Sequence, residues 1–321
     1  MAEPTKRPER IVEPDGRVNV GWFDRPFPDD NISQAPVRHL LAGLRDTPLS
    51  ALERAWRRLR FKQWQYMSVV TDRVLLGCAV VHVGYVGQAF AYVVDRSTAK
   101  MFEWTRLVPL ARGVGVAPGS ADGGWRIDAP GWGWMALEAD AAAGRRSLRL
   151  GLDGRGGHRP QPPLEADVEI RDDSREPAPV VVVEQSAEGR WLLTHKCYGL
   201  PAGGAIRCGD VGGEFELGAG LAGLDFNRGY RPNRTYWNWA AAAGRAKDGR
   251  IVGFNLTAHR PWEGAKARRP EHARADRVDA GDCAFWLGGE LVKVRRVEFR
   301  YDHRDLLAPW RVSDTEGSVD L

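Results

Sequence analysis

Between Tyr66 and Leu110 the chain reads YMSVVTDRVLLGCAVVHVGYVGQAFAYVVDRSTAKMFEWTRLVPL, dense in Val, Tyr, Phe and Trp. Breaks fall at Asp72-Arg73, Gly84, Gly87 and Asp95-Arg96. β-Branched and aromatic side chains suit a pleated, half-buried surface. Successive side chains of a strand point to opposite faces, so a period of two sets one face against a core. The stretch therefore predicts four successive antiparallel strands joined by tight connections. Further strands are predicted near 124–128, 132–139, 146–152 and 164–171. After a polar run closed by two prolines at 171–179, strand-like segments resume at Val180–Glu184, Trp191–Tyr198, Ala205–Cys208 and Glu214–Leu217. They continue at Arg234–Ala242, Ile251–Ala258, Cys283–Trp286 and Glu290–Tyr301. The charged segment 259–280 between two of them is expected to be a mobile loop. No strand–helix alternation is visible, which argues against a parallel α/β fold.

One helix stands out. Thr47 is placed as its N-cap and Pro48 as its first residue, where a missing N–H is tolerated. Leu52, Trp56 and Leu59 share a stripe, Glu53 and Arg57 form an i,i+4 ion pair, and the helix is expected to reach about Trp64. The expected class is all-β: two consecutive antiparallel β-barrel or sandwich units with one N-terminal helix. The expected division is an extended N-terminal segment at 1–46, the helix plus a first unit at 47–172, and a second unit at 180–321 that is incomplete at its C-terminus. The closing PWRVSDTEGSVDL reads as a strand, a turn and the start of another strand. An edge left there would take a partner chain.

Charge narrows the function classes. The net charge is +4, and the first 45 residues hold seven Lys/Arg against seven Asp/Glu. No basic arm forms and no nucleic-acid motif is present, so nucleic acid is not an expected partner. No run of ~18 apolar residues exists and the N-terminus lacks the apolar core of a signal peptide, so a cytoplasmic protein without a membrane span is expected. Cys78, Cys197, Cys208 and Cys283 form no CxxC, and the seven histidines are dispersed, so neither a metal nor a cofactor is expected. GWGWMA at 131–136 matches the dinucleotide-binding glycine pattern but lacks the preceding strand and following helix.

The segment Leu224–Gly244, LDFNRGYRPNRTYWNWAAAAG, concentrates the chemistry. On a strand over 234–242, Trp237 and Trp239 share one face with Thr235, while Arg234, Tyr236 and Asn238 share the other. A guanidinium, a phenol and an amide are costly to bury unless paired or wet. Asp225 is the natural counter-charge for Arg228 or Arg234. Two readings fit: a ligand cavity with an aromatic wall and a few orienting polar groups, or tryptophan core packing beside a structural Arg–Asp pair. His195-Lys196, which interrupts a strand, adds a second polar point.

The blocks THKCYGLPAGGAIRCGD, LDFNRGYRPNRTYWNWAAAAG, DGRIVGFNLTAH, LGGELVKVRRVEFRYD and APWRV, in this order, resemble the bacterial family of unknown function numbered 2804, over roughly residues 15–321. At one further remove the chain is similar to paired lipocalin-like barrels such as carotenoid hydratases and natural-product cyclases. The resemblance implies a small apolar molecule held in a β-barrel cavity and acted on by a hydratase, isomerase or cyclase without a cofactor. Asp225 is then the candidate acid, with Tyr236 and His195 as catalytic partners. Trp237, Trp239, Asn238, Arg234 and Asn255 become the candidate ligand-binding residues. A non-catalytic carrier and a structural, partner-binding β-protein are the alternatives.

Overall fold

The computed structural model describes residues 3–154, 160–173, 177–187, 189–231, 235–260, 281–314 and 316–321. The N-terminal stretch contributes strand β1 (Gly21–Phe23) and leads to helix α1 (Ser50–Arg60). Strands β2 (Lys62–Val70), β3 (Val74–His82), β4 (Val86–Asp95) and β5 (Met101–Pro109) follow as antiparallel neighbours, the four expected from the period-two pattern. Then come β6 (Val114–Gly115), β7 (Gly123–Ala129), β8 (Gly133–Asp140), β9 (Arg145–Leu152) and β10 (Leu164–Arg171). β11 (Val180–Ala187) precedes two strands of 19 residues each, β12 (Arg190–Cys208) and β13 (Val211–Gly229). The chain closes with β14 (Tyr236–Arg245), β15 (Ile251–Arg260), β16 (Ala284–Leu287), β17 (Glu290–Lys293), β18 (Val297–Arg300) and β19 (Arg311–Asp314). The all-β class with a single α-helix holds. From residue 261, the loop expected at 259–280 lies outside the described residues, as does Arg234.

Thirteen strands form one curled half-barrel sheet. Its path runs β5-β4-β3-β2-β13-β12-β10-β9-β8-β7-β6, with β11 on the N-terminal part of β12 and β1 on β11. Strands from both sides of the 171–179 run therefore share this sheet, and β2 lies directly against β13. A four-stranded sheet, β14-β15-β16-β17, packs across β12 and β13. The approach is close: a Cβ at Gly253 of β15 would stand 2.5 Å from the Tyr198 carbonyl of β12, so only glycine fits there. β18 and β19 pair separately. The outer side of β19 is taken by the last residues of the chain, with reciprocal 2.9 Å hydrogen bonds between Val312 and Leu321.

The helix is shorter than its pattern suggests. It begins at Ser50, with Leu49 in the cap position and no side-chain cap. The Thr47 hydroxyl instead accepts from the Leu49 N–H at 3.2 Å and donates to the Leu44 carbonyl at 2.9 Å, closing a tight turn one step earlier. It ends at Arg60 because Phe61 is already extended at the mouth of β2. Leu52 and Leu59 face solvent. The buried side holds Glu53, which the Arg57 guanidinium and the His39 ring both reach. The N-terminal segment, expected to be extended, places Ile11, Trp22, Phe23, Phe27 and Ile32 in the main core. That core is continuous from this segment through Trp104, Trp125 and Trp132 to Trp286. Among the described residues, no helix is long and apolar enough to cross a membrane.

Candidate functional site

Strand register builds the floor of a cavity. Lys196 of β12 aligns with Asp225 of β13, Tyr66 of β2, Ala79 of β3 and Phe90 of β4. Two residues along, Thr194, Asn227, Trp64, Val81 and Gln88 form the next row. Because side chains alternate, both rows project from the same face of the sheet. Over them the ribbon β14–β15 lays Trp237, Trp239 and Thr257. The half-open space between them is about 460 Å³, inside the usual range for small-molecule sites.

One end of the floor carries an ion cluster. Lys196 Nζ lies 2.8 Å from Asp225 Oδ2 and 3.6 Å from Asp282 Oδ2. Lys196 and Asp225 are buried, so each charge depends on the other for compensation. The ammonium also sits 5.5 Å from the centre of the Trp239 ring, a cation–π distance. That ring is held in place from behind. Its Nε1–H donates to Asn255 Oδ1 at 2.7 Å, and Asn255 Nδ2 donates to the Asp282 carbonyl at 2.8 Å. Asn255 thus orients the indole and the Asp282 backbone without lining the cavity.

Glu184 of β11 completes the acidic set. It lies on the same face as Thr194 and Lys196 because Val180, Val182 and Glu184 pair with Lys196, Thr194 and Leu192. It is half-buried and lines the cavity. Burial raises its pKa to about 7, with the Asp282 carboxylate pushing the same way and Arg231 and Lys293 pulling it back. Arg231, just past the end of β13, stands with its guanidinium 4.7 Å from the Trp64 ring centre and 6.0 Å from that of Trp237. One of its terminal nitrogens donates to Asn227 Oδ1. Asp225 Oδ1, Arg231 Nε and Thr257 Oγ1, all on cavity-lining residues, have no hydrogen-bond partner among the described residues. Buried polar atoms without a partner are the exception in a folded protein, and these three belong to residues around one space.

The expected site residues divide. Asp225, Trp237 and Trp239 meet at the cavity, and Asn255 stands behind it. Tyr236 and Asn238 alternate to the other face of β14, where Asn238 Oδ1 accepts from the Tyr301 hydroxyl at 3.3 Å. Arg234 is outside the described residues. His195, next to Lys196, points into the core on the opposite side of the sheet, with Nδ1 2.9 Å from Ser120 Oγ. Burial lowers its pKa to about 3, Arg146 pushes the same way and Asp172 opposes. The counter-charge expected at Arg228 also differs: Arg228 pairs with Asp30 at 3.1 Å. Residues 225 and 228 are an odd number apart on one strand, so they face opposite ways.

Glu184, Asp282 and Arg231 escaped the sequence reading. Glu184 carries one usable signal, a lone acid ending the run VVVV. Asp282 and Arg231 stand just outside the strands, where an isolated charge is unremarkable until the fold brings it to a cavity.

The family model described as a domain of unknown function (DUF2804) matches residues 2–321. The sequence matches no curated protein. Among solved structures, a candidate AttH from Nitrosomonas europaea superposes with a TM-score of 0.47 at 12% identity, over 79% of this chain and 77% of that one. Kievitone hydratase from Nectria haematococca superposes with a TM-score of 0.47 at 8% identity, over 78% of this chain and 72% of that one.

Proposed function

The chain belongs to the DUF2804 family, and for this member we propose a small-molecule site that binds a largely apolar guest and moves a proton on it. Glu184 is the group that holds and transfers the proton. The observation that carries this reading is the placement of Glu184 beside Asp282 at the wall of an aromatic-lined cavity, with its pKa brought to about 7. A carboxyl group poised there is protonated about half the time at neutral pH, the condition under which one residue serves as both acid and base. Donation from Glu184 to a double-bond carbon leaves a cation that water or loss of a neighbouring proton resolves. In either case a proton returns to the Glu184 carboxylate, so the reaction is a hydration or an isomerisation. The acid role expected of Asp225 passes to Glu184, because Asp225 is committed to Lys196. Lys196, Asp225 and Asp282 fix the charge pattern around the guest.

The test is solvent exchange. Apolar alkenes and terpenoids that quench tryptophan emission on binding would be incubated with the protein in D₂O and recovered for mass spectrometry. Deuterium incorporation that is lost in Glu184→Gln, with binding retained, supports the proposal. A bound guest that returns unlabelled from the native protein supports a carrier instead. The mutual neutralisation of Lys196 and Asp225 favours that second reading, since it removes one acid and one base from reaction.

A further inference from the structure

The cavity is polarised. At the end formed by the Lys196–Asp225 row, one ammonium faces two carboxylates, Asp225 at 2.8 Å and Asp282 at 3.6 Å. Toward the other end, past Asn227, stand the cations Arg231 and Lys62; Asp225, Glu184 and Asp282 act on Arg231 through space without an ion pair to it. Arg231 is only 6% exposed, lies between two indole rings and keeps an Nε–H without an acceptor. Among the described residues no carboxylate comes within ion-pair distance of it. Lys62, opposite Gly229 at the same end of the strands, also lines the space. Its pKa is lowered by burial and by the nearby cations Arg60, Arg231 and Arg190. Glu184 is the acid at this end, and it carries its proton for part of the time at neutral pH. A buried guanidinium with one hydrogen bond made and another donor unused is a receptor for an anionic oxygen.

We propose that the guest is an apolar carboxylic acid, whose carboxylate is received by Arg231 and Lys62 and whose hydrocarbon body lies along Tyr66 and Phe90 toward the Lys196–Asp225 row. The proposal rests on the cavity reading above and adds the chemical class of the ligand. The Trp64 and Trp237 rings stand 4.7 and 6.0 Å from the guanidinium and give it apolar neighbours, while a planar guanidinium suits a carboxylate.

The experiment compares two probes with the same chain length, decanoate and 1-decanol, by titration calorimetry. The native protein is expected to bind decanoate about tenfold or more tightly than decanol, the scale of a hydrogen bond to a charged group. Arg231→Gln is expected to remove about tenfold from decanoate and to leave decanol within about twofold. Lys62→Gln, which is not packed between rings, is expected to weaken decanoate alone by about threefold. Equal binding of the two probes by the native protein overturns the carboxylate assignment while leaving the cavity reading intact. So does a parallel loss of both probes in Arg231→Gln, or an unchanged ratio in both variants. Absence of binding by either probe overturns the cavity reading and this proposal together.

Discussion

The Lys196 ammonium lies 2.8 Å from Asp225 Oδ2 on the neighbouring strand, and both side chains are buried beneath the Trp239 ring. A buried pair of this kind is insensitive to salt, and losing one member strands the other. Lys196→Met should lower stability by about 3–5 kcal/mol in urea denaturation, because the buried Asp225 loses the cation 2.8 Å away. The double variant Lys196→Met/Asp225→Leu should recover more than half of that loss. Additive losses in the double variant would refute the coupling.

Glu184 predicts a pH dependence with a definite sign. Its pKa is about 7 in the folded protein against an ordinary 4.5, so between these values the folded state binds more protons than the unfolded one. Stability contributed at this position is therefore full below about 4.5 and lost as pH rises through 7. The loss is up to about 3 kcal/mol. Glu184→Gln should match the native melting temperature in acid and exceed it above neutrality. Melting curves recorded across pH 4–8 would show the divergence.

His195 acts at the opposite limb. It is neutral when folded, with a pKa near 3, whereas the unfolded chain takes a proton below about 6.5. Stability should fall as pH drops from 6.5 toward 3, by up to about 5 kcal/mol from this residue. His195→Gln, which keeps a hydrogen-bonding group toward Ser120, should flatten that acid limb without changing guest affinity, since the side chain faces away from the cavity. A change in affinity would show that the two faces of β12 communicate.

Gly229 closes β13 just before Arg231. It has a φ of +147°, and a Cβ there would stand 2.1 Å from the Trp191 carbonyl oxygen. Gly229→Ala should cost about 2–4 kcal/mol and should weaken guest binding, because the end of β13, two residues before Arg231, must shift. Differential scanning calorimetry and a ligand titration would separate the two effects.

The sheet was readable where the period of two was clean. From Met67 to Val93 one alternating set, Met67, Val69, Leu76, Cys78, Val80, Ala89, Ala91 and Val93, is buried in the core, because a strand's faces follow from parity. The same parity rule put Trp237 and Trp239 together and separated them from Tyr236 and Asn238. What parity cannot supply is which strands are neighbours. Asp225 found Lys196, a residue already suspected as a polar point, only because β13 lies against β12. Glu184 entered the site through the register of β11 on β12. The helix stripe misled for a different reason. Leu52 and Leu59 look like core positions, yet a buried carboxylate with two partners outweighs them and turns Glu53 inward.

The contact of β2 with β13 sets Val70 opposite Leu221, far apart along the chain. Loop-closure entropy is spent before that seam forms, so the chamber's base cannot assemble while the first half waits alone. Until the long hairpin arrives, the aromatic flank of β2 has no neighbour on that side. During synthesis this exposed ribbon is the molecule's vulnerable moment, and a nascent chain stalled there offers a sticky margin to chaperones or to other copies of itself.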